Sequence, residues 1–212
     1  MEKFILEIPG AISKDICEDI IKRFDSDNRK RIGEVVMNGN PIVMPEIKNS
    51  RELVITPLAE WKDIDTHVSN SIKKHISDYR KFLKYGFPYD DEKQHPIFHI
   101  LDMSRKTYDR YLQIQNTPCG GAYNWHADSR FKQNIEENTL AEVGFINCII
   151  YLNTLDYNEG GCTEFINGKK IKPEVGKMVF WPTNWIFVHR GEEVKCERGK
   201  YAIVTQILFN AK

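Results

Sequence analysis

The feature that most constrains this chain is a change of texture near Tyr108. From there to Phe209, short apolar runs alternate with Gly, Asn and Pro turn signals. The runs fall at 111–115, 123–127, 143–152, 162–165, 177–181, 185–188 and 201–209. Runs this short, so regularly interrupted, predict strands of an antiparallel sandwich or barrel rather than helices.

The residues before Tyr108 read differently. Residues 4–8 predict a strand stopped by Pro9-Gly10, and Ser13 is placed to cap a helix carrying Ile16, Cys17, Ile20, Ile21 and Phe24 at helical spacing. Residues 52–56 predict another strand. Trp61, Ile64, Val68, Ile72, Ile76, Tyr79, Phe82 and Leu83 form a longer helical stripe, ended by Gly86 and Pro88. Residues 37–49, with the turn Asn38-Gly39-Asn40-Pro41, read as a long loop, either a lid or a disordered excursion. The fold class expected is mainly β with flanking helices, in one domain over residues 1–212. Residues 1–107 would supply helical support and lid segments, and 108–212 a catalytic core.

The charge balance narrows the function. Thirty basic and thirty acidic residues cancel, so no basic footprint for nucleic acid is present. The five cysteines, Cys17, Cys119, Cys148, Cys162 and Cys196, are odd in number and scattered. Reduced thiols in a cytoplasmic protein fit that pattern better than disulfides do. No signal peptide is expected, and no stretch approaches the roughly 20 apolar residues of a membrane span.

The chemistry is concentrated in Gly120-Gly121-Ala122-Tyr123-Asn124-Trp125-His126-Ala127-Asp128. On a strand, residues i and i+2 share a face, so His126 and Asp128 can reach one point while Trp125 and Ala127 turn away. A distant strand can bring His189 to the same point. Two imidazoles and a carboxylate leave three positions of a metal open, as in non-heme Fe(II) oxygenases. Zinc is the competitor, although the H-E-x-x-H of helical zinc hydrolases is absent from the sequence. His67, His75, His95 and His99 lack carboxylate or thiol partners at matching spacing and read as surface or core-edge residues.

Around this triad the chain resembles the Fe(II)/2-oxoglutarate-dependent dioxygenases of the prolyl 4-hydroxylase type, especially small bacterial and phage-type members. The pieces that carry the resemblance are Leu112-Gln113-Ile114-Gln115, then Gly120-Gly121-x-Tyr123-x-x-His126-x-Asp128, then Cys148-Ile149-Ile150-Tyr151-Leu152-Asn153. Glu159-Gly160-Gly161-x-Thr163-x-Phe165, Gly176 to Pro182, His189-Arg190-Gly191 and Lys200-Tyr201-Ala202-Ile203 follow in the family's order. The resemblance implies a double-stranded β-helix, a cupin-like jelly roll, buttressed by N-terminal α-helices.

It further implies iron on His126, Asp128 and His189, with 2-oxoglutarate and O2 as cosubstrates and ascorbate supporting activity. Lys200 opens the last predicted strand, whose face continues through Ala202, Val204 and Gln206. It is the residue expected to hold the distal carboxylate of 2-oxoglutarate, with Arg198 as a rival placed in the turn. Tyr151 matches a family tyrosine that binds the same carboxylate. Gln113 is expected near the cosubstrate. Thr117 stands where members often have a tyrosine, so that contact is changed or absent.

The implied reaction is hydroxylation of a substrate C–H bond with release of succinate and CO2. Tyr123 matches a tyrosine near the prolyl substrate. Gly144 and Gln206 replace a family arginine and tryptophan on the substrate side, which loosens the link to peptidyl proline. A peptide or protein substrate therefore stands beside a free amino acid, small metabolite or nucleobase, and beside a non-catalytic cupin-like binding protein. Residues 190–198 lack the R-x-N-x-T-x-R run of the nucleic-acid demethylase branch. Loops 37–49 and 130–142 are expected to be mobile and to cover the mouth. Trp181 and Trp185 are expected in the core.

Overall fold

The period-two segments pair into antiparallel sheets. A computed structural model describes residues 1–37, 40–86, 107–109, 111–128, 131–134 and 139–210. In chain order the elements are β1 (Leu6–Ile8), α1 (Lys14–Ser26), β2 (Arg31–Ile32), β3 (Val35–Met37), β4 (Asn40–Ile42), β5 (Arg51–Val54) and α2 (Lys62–Gly86). They continue with β6 (Thr107–Asp109), β7 (Gln113–Thr117), β8 (Tyr123–His126), β9 (Phe131–Asn134), β10 (Thr139–Tyr151) and β11 (Thr163–Phe165). The last are β12 (Lys170–Ile171), β13 (Met178–Pro182), β14 (His189–Gly191) and β15 (Lys200–Asn210).

The larger sheet runs β1-β13-β10-β15-β7-β5-β2, with β6 also on β15 and β9 on β10. The smaller sheet runs β12-β11-β14-β8, and β3 and β4 form a separate pair. This is the expected mainly β jelly roll. Alternation along the central strands sorts the two faces. On β10 and β15, Ile146, Cys148, Ile150, Ile203 and Ile207 pack with Cys17, Ile20 and Phe24 of α1 and with Val68, Ile72 and Tyr79 of α2. The opposite face carries Ile149, Tyr151 and Ala202, which pack with Phe165, Ile171, Trp181 and Phe187. Each fully buried side chain of the helix layer contributes about 1.5–3 kcal/mol. The helices thus hold the sheet from outside and leave its inner face for the site.

Several expectations change. Residues before Tyr108 supply strands to the larger sheet itself, because β1 pairs with β13 and β5 with β7. Part of the expected loop 37–49 is ladder: Val35 to Met37 pair with Ile42 to Asn40. Residues 38 and 39 lie outside the described residues, as do Pro88, His95, His99, Arg130 and 135–138, so the expected mobility of both loops falls partly outside them. Residues 131–134 and 139–143 are paired strands, β9 with β10. Ser13 precedes α1 as its cap residue, but its side chain makes no capping bond. His75 does have a carboxylate partner, Asp78 Oδ2 at 2.9 Å, one helical turn on.

Residues 185–188 form a turn rather than a strand. Asn184 accepts the Ile186 amide on its side chain and the Phe187 amide on its carbonyl. That geometry turns Phe187 inward and leaves Trp185 76% exposed, so only Trp181 joins the core. The strand begins instead at His189.

Gly176 shows where close approach, beyond backbone torsion, demands glycine. Its φ is +76°, and a Cβ there would stand 2.0 Å from the Ile12 carbonyl oxygen. Gly10, at φ +65°, has nothing within 4 Å of the same position. Gly176→Ala is expected to cost at least about 2 kcal/mol and Gly10→Ala about 1 kcal/mol, read as urea midpoints. Equal losses would assign both glycines to torsion alone.

Candidate metal and 2-oxoglutarate site

The smaller sheet assembles the triad by register. β14 pairs with β8 so that His189 lies opposite His126, and the two rings are 4.3 Å apart. Asp128 follows two residues beyond His126, past the end of β8. Its Oδ1 lies 3.6 Å from His126 Nε2 and its Oδ2 lies 3.4 Å from His189 Nε2. One ligand atom from each of the three falls within 4.8 Å of the others.

The histidine tautomers follow from the backbone. His126 Nδ1 donates to the Asn124 carbonyl at 2.7 Å, and His189 Nδ1 donates to the Phe187 carbonyl at 2.9 Å. A carbonyl only accepts, so Nδ1 carries the hydrogen and Nε2 presents its lone pair to the centre. Burial, reinforced by the neighbouring His189, lowers the His126 pKa to about 4 and keeps the ring neutral. This donor set, two imidazoles and a carboxylate aimed at one point, fits a divalent metal.

A cavity of about 410 Å³ opens on this centre, and Lys200, Ala202, Val204 and Gln206 line it from β15. Lys200 is 7% exposed, and its ammonium donates to the Gly161 carbonyl at 3.1 Å. Among the described residues no carboxylate forms an ion pair with it. Burial accordingly lowers its pKa to about 8. An ammonium held in a cavity without a counter-charge is fitted to an anion. Arg198, by contrast, is exposed and donates to Glu159 and to the Thr154 carbonyl. The rival is therefore tied to the surface.

The other expected residues take distinct places. Tyr151 is fully buried and sits behind the cavity wall. Its hydroxyl donates to Thr163 Oγ1 at 2.7 Å, and it is Thr163 that lines the cavity. Gln113 and Thr117 line the wall formed by β7. Tyr123 stacks on His126 with ring centroids 3.6 Å apart. Gln206 Nε2 donates to the Asp128 carbonyl and to Asn147 Oδ1, each at 3.1 Å. Its Oε1 is buried and has no donor among the described residues. Gly144 lies at a bulge in β10.

Residues 112–207 match the family model described as the 2OG-Fe(II) oxygenase superfamily. That stretch carries the sequence pattern of the 2OG-Fe(II) oxygenases. It contains the triad, Tyr151, Thr163 and Lys200, and the family's activity is that of a 2-oxoglutarate-dependent dioxygenase. No curated protein matches the sequence.

The fold of the chain is similar to that of solved prolyl hydroxylases. One is the viral collagen prolyl hydroxylase of Paramecium Bursaria Chlorella virus-1, in its 2OG complex, at 18% identity and TM-score 0.62, covering 97% of this chain and 96% of that one. A second is a Trichoplax adhaerens prolyl hydroxylase in complex with a hypoxia inducible factor peptide, at 13% identity and TM-score 0.68, covering 98% and 84%. A third is a Pseudomonas putida prolyl-4-hydroxylase, at 12% identity and TM-score 0.59, covering 98% and 92%. Among the described residues no helix is long and apolar enough to cross a membrane.

Sequence reading missed Thr163 and Asn147 as lining residues, and it missed Lys48, Ser50 and Glu52 altogether. The last three did leave a signal. They alternate at period two from the residues before β5 into its start, which sets three polar side chains on one face.

Proposed function

We propose that the protein, acting as one domain, hydroxylates a C–H bond of its substrate, consuming 2-oxoglutarate and O2 and releasing succinate and CO2. The observation that carries this reading is the buried, unpaired ammonium of Lys200 in the same cavity as His126, Asp128 and His189. Fe(II) with 2-oxoglutarate and O2 supplies the oxidising chemistry when bound. The chain's own work is to hold and to orient. His126, Asp128 and His189 hold the metal. Lys200 and Thr163 hold the distal carboxylate, with Tyr151 fixing the Thr163 hydroxyl. Gln113 and Thr117 shape the side wall. Tyr123 and Gln206 face the substrate, and Gln206 Oε1 is open to a donor from it.

A prolyl residue in a peptide is the first substrate to try, because the similar structures are prolyl hydroxylases. The polar pair Gln206 and Asn147 favours a second reading, a free amino acid or small polar metabolite. Five cysteines, odd in number and scattered along the sequence, fit a cytoplasmic setting. The test is incubation with Fe(II), ascorbate and 2-oxoglutarate against peptides, amino acids and metabolites. Succinate should form in step with a product one oxygen atom heavier. Failure to bind 2-oxoglutarate, together with no succinate, would make this a cupin-like binding protein instead.

A further inference from the structure

A second charged group lines the cavity, away from β15. The segment before β5 lies along the free edge of β8. The Asn49 amide donates to the Ala122 carbonyl and the Asn124 amide to the Ile47 carbonyl. This places Lys48 opposite Tyr123. Lys48, Ser50 and Glu52 are all buried, and all three line the cavity.

Glu52 is saturated. Its Oε1 accepts from Ser50 Oγ at 2.9 Å and lies 2.5 Å from Lys48 Nζ. Its Oε2 accepts from Gln113 Nε2 at 2.6 Å. Lys48 is not. One of its three N–H groups meets Glu52, and a second reaches the Glu34 carbonyl at 3.3 Å. No further acceptor lies in reach among the described residues, and the ammonium sits 5.0 Å from the Tyr123 ring centroid. The Tyr123 ring in turn stacks on the ligand His126.

A buried ion pair seldom stabilises more than apolar side chains of the same volume, so stability gives little reason for this one. Both of its carboxylate oxygens are engaged inside the cluster, and what it offers the cavity is a donor with positive charge. Lys200 already answers the distal carboxylate of 2-oxoglutarate from β15. We propose that Lys48, oriented by Glu52, is a second cationic subsite and takes a carboxylate of the substrate beside the metal. This assignment rests on the dioxygenase reading given above. The carboxylate can be the α-carboxylate of a free amino acid or the side chain of an acidic residue in a peptide.

The test uses the anaerobic Fe(II)–2-oxoglutarate protein, titrated calorimetrically with two probe sets. One is the free L-amino acids, and the other is tripeptides containing Asp or Glu, each beside its primary amide. At least one carboxylate should bind about ten-fold or more tightly than its amide, the scale of a charge-assisted hydrogen bond. The set that binds identifies the source. Lys48→Met should cut that ratio to below about three-fold, and Lys48→Arg should keep most of it. Lys48→Met/Glu52→Gln leaves no lone buried charge and should likewise cut the ratio to below about three-fold, which keeps the test readable if the single variant fails to fold.

Absence of binding by every carboxylate, equal binding of acids and amides, or survival of the preference in both variants would overturn the assignment. So would loss of 2-oxoglutarate binding in Lys48→Met, which would make Lys48 a cosubstrate residue. If the unmodified protein fails to bind 2-oxoglutarate, the dioxygenase reading falls, and this assignment with it.

Discussion

Asp128→Ala is expected to end succinate formation and to weaken divalent metal binding by more than about a hundred-fold. Even the groups that merely support metal ligands typically cost 10–100-fold when removed, so a direct ligand should cost more. The chain should still fold. Asp128 lies beyond the end of β8, its side chain is 28% exposed, and the pairing of His126 with His189 does not pass through it. His126→Ala should match it in activity. Metal binding is read by calorimetry with Co(II), which separates loss of the site from loss of turnover. Succinate formation persisting in either variant would remove the triad from the mechanism.

Lys200→Met is expected to split stability from binding. The lysine's pKa falls from 10.5 to about 8 in the folded protein. The unfolded chain therefore binds more protons between those values, and stability should rise as pH increases through that window. Below pH 8 the buried charge costs on the order of 3 kcal/mol. Methionine removes that cost, so the variant should unfold at equal or higher urea concentration at pH 7. Its affinity for 2-oxoglutarate should fall at least about a hundred-fold, because a charge-assisted contact from a buried group is lost. In the unmodified protein, binding requires the ammonium, so affinity should decline as pH rises above about 8. A pH-independent affinity between 7 and 9.5, or unchanged binding in Lys200→Met, would exclude Lys200 as the anchor.

These two residues show what local sequence can carry. His126 and Asp128 are two apart on a strand-like run, and strand parity alone brings them together. Lys200 is a lone cation opening an apolar strand, again a period-two inference. Trp185 defeated the same logic, because one residue, Asn184, captures two amides, one on its side chain and one on its carbonyl, and turns the backbone before a strand can start. Tyr151 was expected at the cosubstrate carboxylate, yet its hydroxyl reaches the cavity only through Thr163. Period two puts Lys48 and Glu52 on one face, but their place at the site was out of reach for a different reason. Their place beside Tyr123 depends on hydrogen bonds between 47–49 and 122–124, and no periodicity within either segment encodes that pairing.

The position of β15 has a consequence for how the protein is made. It lies between β10 and β7 in the larger sheet, pairing with Val143 to Tyr151 on one side and Gln113 to Thr117 on the other. A ribosome delivers it after the strands on both its flanks. Until then the two halves of the sheet have no shared backbone ladder, and their facing edges are open to other chains. The strand that brings Lys200 to the pocket is thus also the keystone of synthesis, so placement of that lysine in the cavity and closure of the sheet arise in the same step.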